Sequence, residues 1–210
     1  MMRSKIINRI MEQIKKYNDF NNIKLQEIKY GLETVYLTIV KTIIYILIAL
    51  LLNTIKELLF FILTYGLLRL TGFGVHAKKS IHCWISSTII FVIIPLLIKY
   101  IMINPNIIYA ISIIFTIVLI IYAPADTEKR PLINKKKRIR YKIITSVISI
   151  AYIILIILIN DNFVKQALLY SLVLEGFLVT PFSYKLFGVY YKNYKNYKRK
   201  EKKEWNYLLH

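Results

Sequence analysis

Apolar residues fall into six blocks along the chain, and short polar or charged connectors separate these blocks. A helix of about 20 apolar residues is long enough to cross the hydrocarbon core of a bilayer. The pattern therefore predicts an all-α, polytopic integral membrane protein with about six transmembrane helices. The second block is short for a full span, so its helix is expected to begin earlier or to end in irregular backbone. The blocks are residues 34–52, 58–70, 84–103, 107–122, 143–159 and 163–187.

Basic residues are distributed unevenly among the connectors. Residues 1–33 contain seven Lys or Arg, residues 123–142 contain eight and residues 188–210 contain seven, whereas the alternate connectors contain at most one each. Cytoplasmic loops carry the excess of Lys and Arg in membrane proteins. Six spans with both termini in the cytoplasm satisfy this rule. The connector 69–82 then lies on the cytoplasmic side as well.

The N-terminal segment, residues 1–33, precedes the first block. Its apolar residues between positions 5 and 16 recur at helical spacing, which predicts an amphipathic helix at the membrane interface with its basic face toward anionic headgroups. A helix packed against the rest of the protein would show the same pattern. The chain thus divides into this segment, a membrane domain over residues 34–187 and a basic tail over residues 188–210. The apolar stripe consists of Ile6, Ile7, Ile10, Met11 and Ile14.

The composition combines 57% hydrophobic residues with a formal net charge of +19. Membrane orientation and attraction to anionic lipid account for most of this charge. The tail sequence YKNYKNYK interleaves basic and aromatic residues, as RNA-binding segments also do. A tail on the membrane surface is favoured, and no nucleic-acid partner is expected. Because the sequence has no phosphate loop, zinc-type CxxC pair or heptad seam, neither a metal nor a cofactor is expected.

Candidate chemistry is concentrated in residues 72–84, GFGVHAKKSIHCW, which hold two histidines and the single cysteine. A thiolate attacks acyl carbons, and an imidazole accepts its proton and later protonates the leaving amine. His76 and Cys83 therefore form a candidate cysteine peptidase dyad. On one straight helix their spacing corresponds to about 10.5 Å along the axis, so the dyad requires a break in the helix. His82 is adjacent to Cys83 and points in a different direction. An inert packing role for the cysteine is the alternative.

Three motifs resemble the accessory gene regulator B (AgrB) family. Residues 69–78, RLTGFGVHAK, followed by Cys83, resemble the family signature R-x-x-(A/S)-G-G-x-H-A, with Thr71 and Phe73 as departures. Residues 122–131, YAPADTEKRP, resemble its A-P-x-(D/E)-x-x-x-(K/R)-P loop, and residues 175–181, EGFLVTP, its (Q/E)-G-x-x-L-T-P motif. The motifs occur in order and extend over most of the chain.

The resemblance implies a cysteine endopeptidase of the bacterial cell membrane that faces the cytoplasm and acts in quorum sensing. Such proteins remove the C-terminal part of an AgrD-type propeptide and keep the remainder as a thioester on the cysteine. An internal cysteine or serine of the peptide then closes a thiolactone or lactone ring. By this match Cys83 is the nucleophile and His76 the general base. A homodimer is also expected from the family.

The resemblance and the charge pattern suggest further roles. The acidic part of such propeptides would suit the basic residues around the dyad. Asp126 or Glu175 could orient the imidazole, and Arg69 could pair with Glu175 or contact the substrate. Structural ion pairs are the alternative for these three residues. The basic candidates are Lys78, Lys79, Lys129, Arg130, Lys135, Lys136 and Lys137.

Two other classes of protein fit parts of the sequence. A peptide transporter or exporter without proteolytic activity would explain the six spans and the intramembrane charges, and it would leave Cys83 dispensable. A membrane adaptor would use its basic tail to recruit a soluble partner. The two halves of the chain show no internal repeat of the kind that many transporters contain.

Overall fold

A computed structural model describes residues 2–17, 20–75, 80–127 and 131–195. In these residues the chain is mainly helical, and Phe73 and Ala125 form a parallel bridge. The all-α class predicted from the apolar blocks is confirmed. The helices of the described residues are α1 (Met2–Tyr17), α2 (Asn22–Leu51), α3 (Ile55–Gly72), α4 (Ser80–Tyr100), α5 (Pro105–Tyr122), α6 (Lys135–Leu158), α7 (Asn162–Val179) and α8 (Pro181–Leu186).

Polar residues at the ends of the apolar blocks begin several of the helices. The Asn104 side chain accepts a hydrogen bond from the backbone N–H of Asn106 at the start of α5, where Pro105 supplies a preset φ angle. Asn134 caps α6 and Asp161 caps α7 in the same way. Short connectors rich in Asn, Asp and Pro therefore both end one helix and begin the next.

The first compact unit, Met1–Leu52, contains α1 and α2, which pack against each other. Ile7 and Met11 of α1 are buried, whereas Ile6 and Ile10 are exposed. The predicted stripe is thus partly buried in the protein. An interfacial position of α1 in the membrane stays a prediction.

The second unit, Asn53–His210, contains the remaining helices, and α7 lies at its centre. Helix α7 packs against α3, α4, α5, α6 and α8. In its most apolar window 61% of the residues are buried, compared with 22% in α5 and in α6. The outer helices therefore present most of their apolar side chains outward, as helices that face lipid do.

Four of the described helices are long and apolar enough to cross a membrane. They are Gly31–Leu51 within α2, Pro105–Tyr122, Lys135–Leu158 and Asn162–Val179, and a shorter apolar helix covers Trp84–Tyr100. Helix α3 has 18 residues but carries Lys56, Glu57 and Arg69. The protein is thus a helical membrane protein, while the count of six spans and the cytoplasmic termini stay predictions.

Polar side chains link helices α3, α6 and α7 inside this unit. The hydroxyls of Thr64 and Ser171 lie 2.8 Å apart, and the Tyr152 hydroxyl donates to the Thr64 carbonyl at 2.8 Å. In a bilayer, hydrogen bonds between helices contribute on the order of 0.6 kcal/mol each. These hydrogen bonds fix the position of α3 against α6 and α7. They therefore also help to position Arg69, which lies little more than one turn beyond Thr64 on α3.

Candidate active site

The backbone turns sharply where α3 ends. Phe73 has a φ of 63° with a ψ of −90°, and Gly74 has a φ of 77°. A helix commonly ends in a residue with positive φ, but for a residue with a Cβ such a conformation costs on the order of 1–3 kcal/mol. Phe73 is held in it by a hydrogen bond from its N–H to the Arg69 carbonyl at 3.2 Å. The first motif therefore encodes a turn that redirects the chain just before His76.

Backbone hydrogen bonds hold residues 72–75 against two other parts of the chain. The Gly74 N–H donates to the Ala125 carbonyl, and the Ala125 N–H donates to the Gly72 carbonyl, both at 2.9 Å. The Val75 N–H donates to the Leu178 carbonyl, also at 2.9 Å. The loop after α5 and the end of α7 belong to the second and third motifs. All three motifs therefore meet at the 72–75 segment.

An ion pair supports the same segment from the side. The Arg69 Nη1 lies 3.4 Å from the Glu175 Oε2, and the Arg69 Nη2 donates to the Val75 carbonyl at 2.8 Å. The Glu175 side chain is fully buried, whereas that of Arg69 is 25% exposed. Among the described residues, the Glu175 Oε1 has no hydrogen-bond partner. Arg69 thus connects a carboxylate in α7 to the backbone that leads into His76.

The two glycines of the turn are required by close packing. A Cβ at position 72 would lie 2.5 Å from the Glu175 Oε1. A Cβ at position 74 would lie 2.5 Å from the Arg69 Nη1 and 3.0 Å from the Leu178 carbonyl oxygen. Separations below 3.0 Å require a neighbouring group to move. Gly72 and Gly74 therefore let the turn approach the ion pair and the end of α7.

Helix α6 completes the surroundings of the turn. The Phe73 ring packs edge-on against the Tyr141 ring with their centroids 4.9 Å apart. The Thr145 hydroxyl donates to the Thr71 hydroxyl at 2.8 Å. Thr71 and Phe73 are the two positions where the motif departs from the family signature. Both departures are therefore accommodated by contacts with α6.

Asp126 organises the loop after α5 and the start of the C-terminal tail. Its carboxylate accepts backbone N–H groups from Leu132 at 3.2 Å, Asn193 at 2.9 Å and Tyr194 at 2.7 Å. Its backbone carbonyl accepts the Tyr184 hydroxyl at 2.7 Å. Burial raises the pKa of the Asp126 carboxyl above its ordinary value, and the backbone N–H donors act in the opposite direction without outweighing it. Asp126 therefore links the loop before α6 to α8 and to the start of the tail.

The third motif ends α7 and begins α8. The Thr180 side chain caps α8 by accepting the Ser183 N–H at 3.3 Å, and Pro181 is the first residue of that helix. Helix α8 places Tyr184 where its hydroxyl reaches Asp126. Burial also raises the pKa of the Tyr184 phenol above its ordinary value. The motif thus connects the end of α7 to the second motif.

The structure describes some of the sequence-predicted site residues and not others. Arg69 and Glu175 lie in contact, and the loop residue Asp126 directly follows Ala125, which pairs with the turn. The backbone of Cys83 is the fourth residue of α4. Lys135, Lys136 and Lys137 form the exposed first turn of α6. The side chain of Cys83 and the predicted residues His76, Lys78, Lys79, Lys129 and Arg130 lie outside what the structure describes.

Several contributors to the site have no signal in the sequence. Val75, Ala125 and Leu178 act through backbone groups, which any residue would supply. Asn193 lies in the basic, aromatic tail, and Tyr184 lies near the end of the last apolar block. For all of them except Asn193 the signal is indirect, because Val75, Ala125 and Leu178 lie within the motifs and Tyr184 lies just beyond the third.

The fold and the site together define a helical membrane protein with a partly buried ion pair beside a strained turn. The chain belongs to the AgrB family, because the family model described as Accessory gene regulator B matches residues 5–179. Membership of this family points to involvement in the agr quorum-sensing system.

Relatives with this name cover most of the chain. An AgrB-like protein of Clostridium acetobutylicum is 31% identical over 195 residues, which are 91% of this chain and 93% of the relative. The Accessory gene regulator protein B of Staphylococcus haemolyticus is 31% identical over 181 residues, covering 84% of this chain and 95% of the relative. That of Staphylococcus epidermidis is 30% identical over 181 residues, with coverage of 84% and 92%. No solved structure matches the chain.

Proposed function

We propose that this protein is a membrane-embedded cysteine endopeptidase that cleaves an AgrD-type propeptide and passes the remaining peptide on for ring closure. The observation that carries the proposal is the convergence of the three AgrB-type motifs on residues 72–75, the segment that leads directly into His76. A strained turn fixed by three backbone hydrogen bonds and an ion pair is costly to build, and such strain is characteristic of functional sites.

Cys83 is the proposed nucleophile, and His76 is the proposed general base. The imidazole takes the thiol proton, and the thiolate sulfur attacks the carbonyl carbon of the scissile peptide bond. The protonated imidazole then gives its proton to the leaving amine, so that the C–N bond breaks and a thioester remains on Cys83. Cys83 lies in the first turns of α4, where the N-terminal end of the helix stabilises negative charge.

Ring closure follows as an exchange of acyl groups. An internal thiol or hydroxyl of the bound peptide attacks the thioester carbonyl, loses its proton to the imidazole and expels the Cys83 thiolate. The product is a thiolactone or a lactone, and no redox step or cofactor is required. Exclusion of water from the site would favour this exchange over hydrolysis.

The remaining residues are proposed to position the dyad or bind substrate. Arg69 and Glu175 hold the backbone that precedes His76, and Asp126 either orients the imidazole or acts through the loop that it anchors. The acidic part of the propeptide is proposed to contact the basic residues around the site, because opposite charge steers and orients a bound peptide. These residues are Lys78, Lys79, Lys129, Arg130, Lys135, Lys136 and Lys137.

We place the protein in the bacterial cytoplasmic membrane with its site on the cytoplasmic side, and we propose that it acts as a homodimer. Orientation follows from the excess of Lys and Arg in residues 1–33, 123–142 and 188–210. Anionic lipid is the expected surface for these segments.

A cleavage assay tests this function. The purified full chain, reconstituted in lipid, is incubated with a candidate AgrD-type propeptide, and release of the C-terminal fragment is followed by mass spectrometry. Cys83→Ala and His76→Ala are expected to abolish release, whereas His82→Ala is the matched control and retains it. Undiminished cleavage by Cys83→Ala would remove this residue from the mechanism. Binding without cleavage by every form would favour the peptide transporter.

A further inference from the structure

The first turns of α6 carry a groove that shares Lys136 with the residues proposed to bind the propeptide. The groove has a volume of about 390 Å³ and is lined by Lys136, Ile139, Arg140, Ile143 and Ile144. These positions recur at three- and four-residue spacing and therefore form one face of the helix. The groove is open along the helix rather than enclosed, so it suits a ligand that lies along α6.

The two cations of the groove differ from the neighbouring basic residues of α6 in their hydrogen bonding. Arg138 donates to the carbonyls of Leu132 and Ile133, and Lys142 donates to the Ile121 carbonyl. Within the described part of the chain, the Lys136 ammonium and the Arg140 guanidinium have no hydrogen-bond or ion-pair partner. The groove therefore offers two adjacent positive charges to a ligand.

The position of α6 in the bilayer indicates which part of a lipid molecule lies beside each residue of the groove. At about 1.5 Å per residue, the 20 residues that end at Leu158 span roughly 30 Å, the thickness of the hydrocarbon core. Counted back from Leu158, the end of α6, the core reaches Ile139. Lys136 then lies outside the core, and Arg140 lies at its boundary, from where its long side chain can extend to the lipid phosphates. Ile143 lies at the level of the acyl chains.

We propose that one anionic phospholipid binds in this groove, with its phosphate at Lys136 and Arg140 and an acyl chain along Ile139 and Ile143. An acyl chain has no polar group that needs a partner at this depth, whereas a peptide backbone would leave its N–H and C=O groups unpaired. A lipid therefore fits the groove better than the acidic segment of a peptide does. A free phosphate has no apolar part that could pack against Ile139 and Ile143.

The face of α6 opposite the groove contacts the turn at the end of α3. Tyr141 and Thr145 lie about 140° and 180° around the helix from Lys136, and they contact Phe73 and Thr71. A lipid bound in the groove thus braces the helix that supports the 72–75 turn. The lipid site shares Lys136 with the proposed substrate contacts, but lipid binding can be measured without a propeptide.

Lipid titration of the full chain in detergent tests the proposal. Binding of dioleoyl phosphatidylglycerol and of dioleoyl phosphatidylcholine is measured by native mass spectrometry. A direct hydrogen bond between a cationic side chain and a phosphate contributes about tenfold in affinity, so Lys136→Gln/Arg140→Gln is expected to weaken phosphatidylglycerol binding at least tenfold. Lys136→Arg/Arg140→Lys keeps both charges and is expected to retain binding.

A charge-matched control distinguishes lipid binding in this groove from a general attraction between basic residues and anionic lipid. Lys135→Gln/Lys137→Gln removes the same net charge at positions about 100° to either side of Lys136, and neither residue lines the groove. It is expected to weaken binding no more than a few-fold. Equal loss in both double variants, or equal binding of the two lipids by the native chain, would overturn the proposal. Displacement of phosphatidylglycerol by an acidic peptide such as polyglutamate would do so as well.

Discussion

Replacing Gly74 with alanine tests the description of the turn most sharply. Gly74 has a φ of 77°, and the added Cβ would lie 3.0 Å from the Leu178 carbonyl oxygen that accepts the Val75 N–H. The left-handed conformation costs an L-residue about 1–2 kcal/mol, and loss of the Val75 hydrogen bond costs about 1 kcal/mol more. The expected penalty is therefore about 2–3 kcal/mol on the conformation of residues 72–75.

Two measurements report this penalty. In a chain of this size about 1 kcal/mol shifts the unfolding temperature by roughly 2–4 °C, so Gly74→Ala in lipid is expected to unfold roughly 5–10 °C lower. Because about 1.4 kcal/mol corresponds to a factor of ten in rate, propeptide cleavage is expected to fall at least tenfold. The decrease in rate should persist at temperatures where the variant is fully folded.

Two other glycines serve as matched controls. Gly188 also has a positive φ, 62°, but a Cβ there would meet nothing within 4 Å, so Gly188→Ala reports the backbone cost without a clash. Gly66 lies inside α3 with open space around it, and Gly66→Ala is expected to leave stability unchanged or raise it by up to about 1 kcal/mol. Native stability and cleavage in Gly74→Ala, or an equal loss in Gly66→Ala, would refute the reasoning.

Three further substitutions or deletions probe the contacts around the turn. Arg69→Lys keeps the charge but cannot contact both a carboxylate and a backbone carbonyl with a planar fork, so its cleavage rate should fall while its unfolding temperature stays within a few degrees of native. Gly72→Ala places a Cβ 2.5 Å from the Glu175 Oε1, so Glu175→Ala in the same chain should relieve part of its loss of stability, and purely additive losses in thermal unfolding would contradict this. Deletion of residues 189–210 should lower the unfolding temperature more than deletion of residues 196–210, because it also removes the backbone N–H groups that bind the Asp126 carboxylate.

The sequence predicts the helices better than their ends. The apolar block 143–159 corresponds to α6, which begins at Lys135 because Asn134 caps it and because Lys and Arg are good helix formers. Hydropathy detects only the apolar part of such a helix. The block 163–187 is interrupted in the structure at Thr180, where a capping hydroxyl and Pro181 begin α8.

The sequence predicts the charged residues of the site but not its backbone contacts. Charged residues in apolar blocks are costly, so Arg69 and Glu175 stand out in the sequence as residues that need partners, and they lie in contact. The hydrogen bond from Arg69 to the Val75 carbonyl depends on the shape of the turn. No property of the Val75 side chain reveals it, because any residue provides the same carbonyl.

Covalent trapping tests the central claim, that Cys83 carries the acyl group, more directly than any other measurement. A propeptide whose internal nucleophile is replaced by alanine cannot close the ring, so the thioester should accumulate on the protein. We expect the intact mass to rise by the mass of the propeptide minus that of the released fragment, with the adduct on Cys83 and its loss on treatment with hydroxylamine. Release of the fragment without any adduct, or the same adduct on Cys83→Ala, would contradict the account.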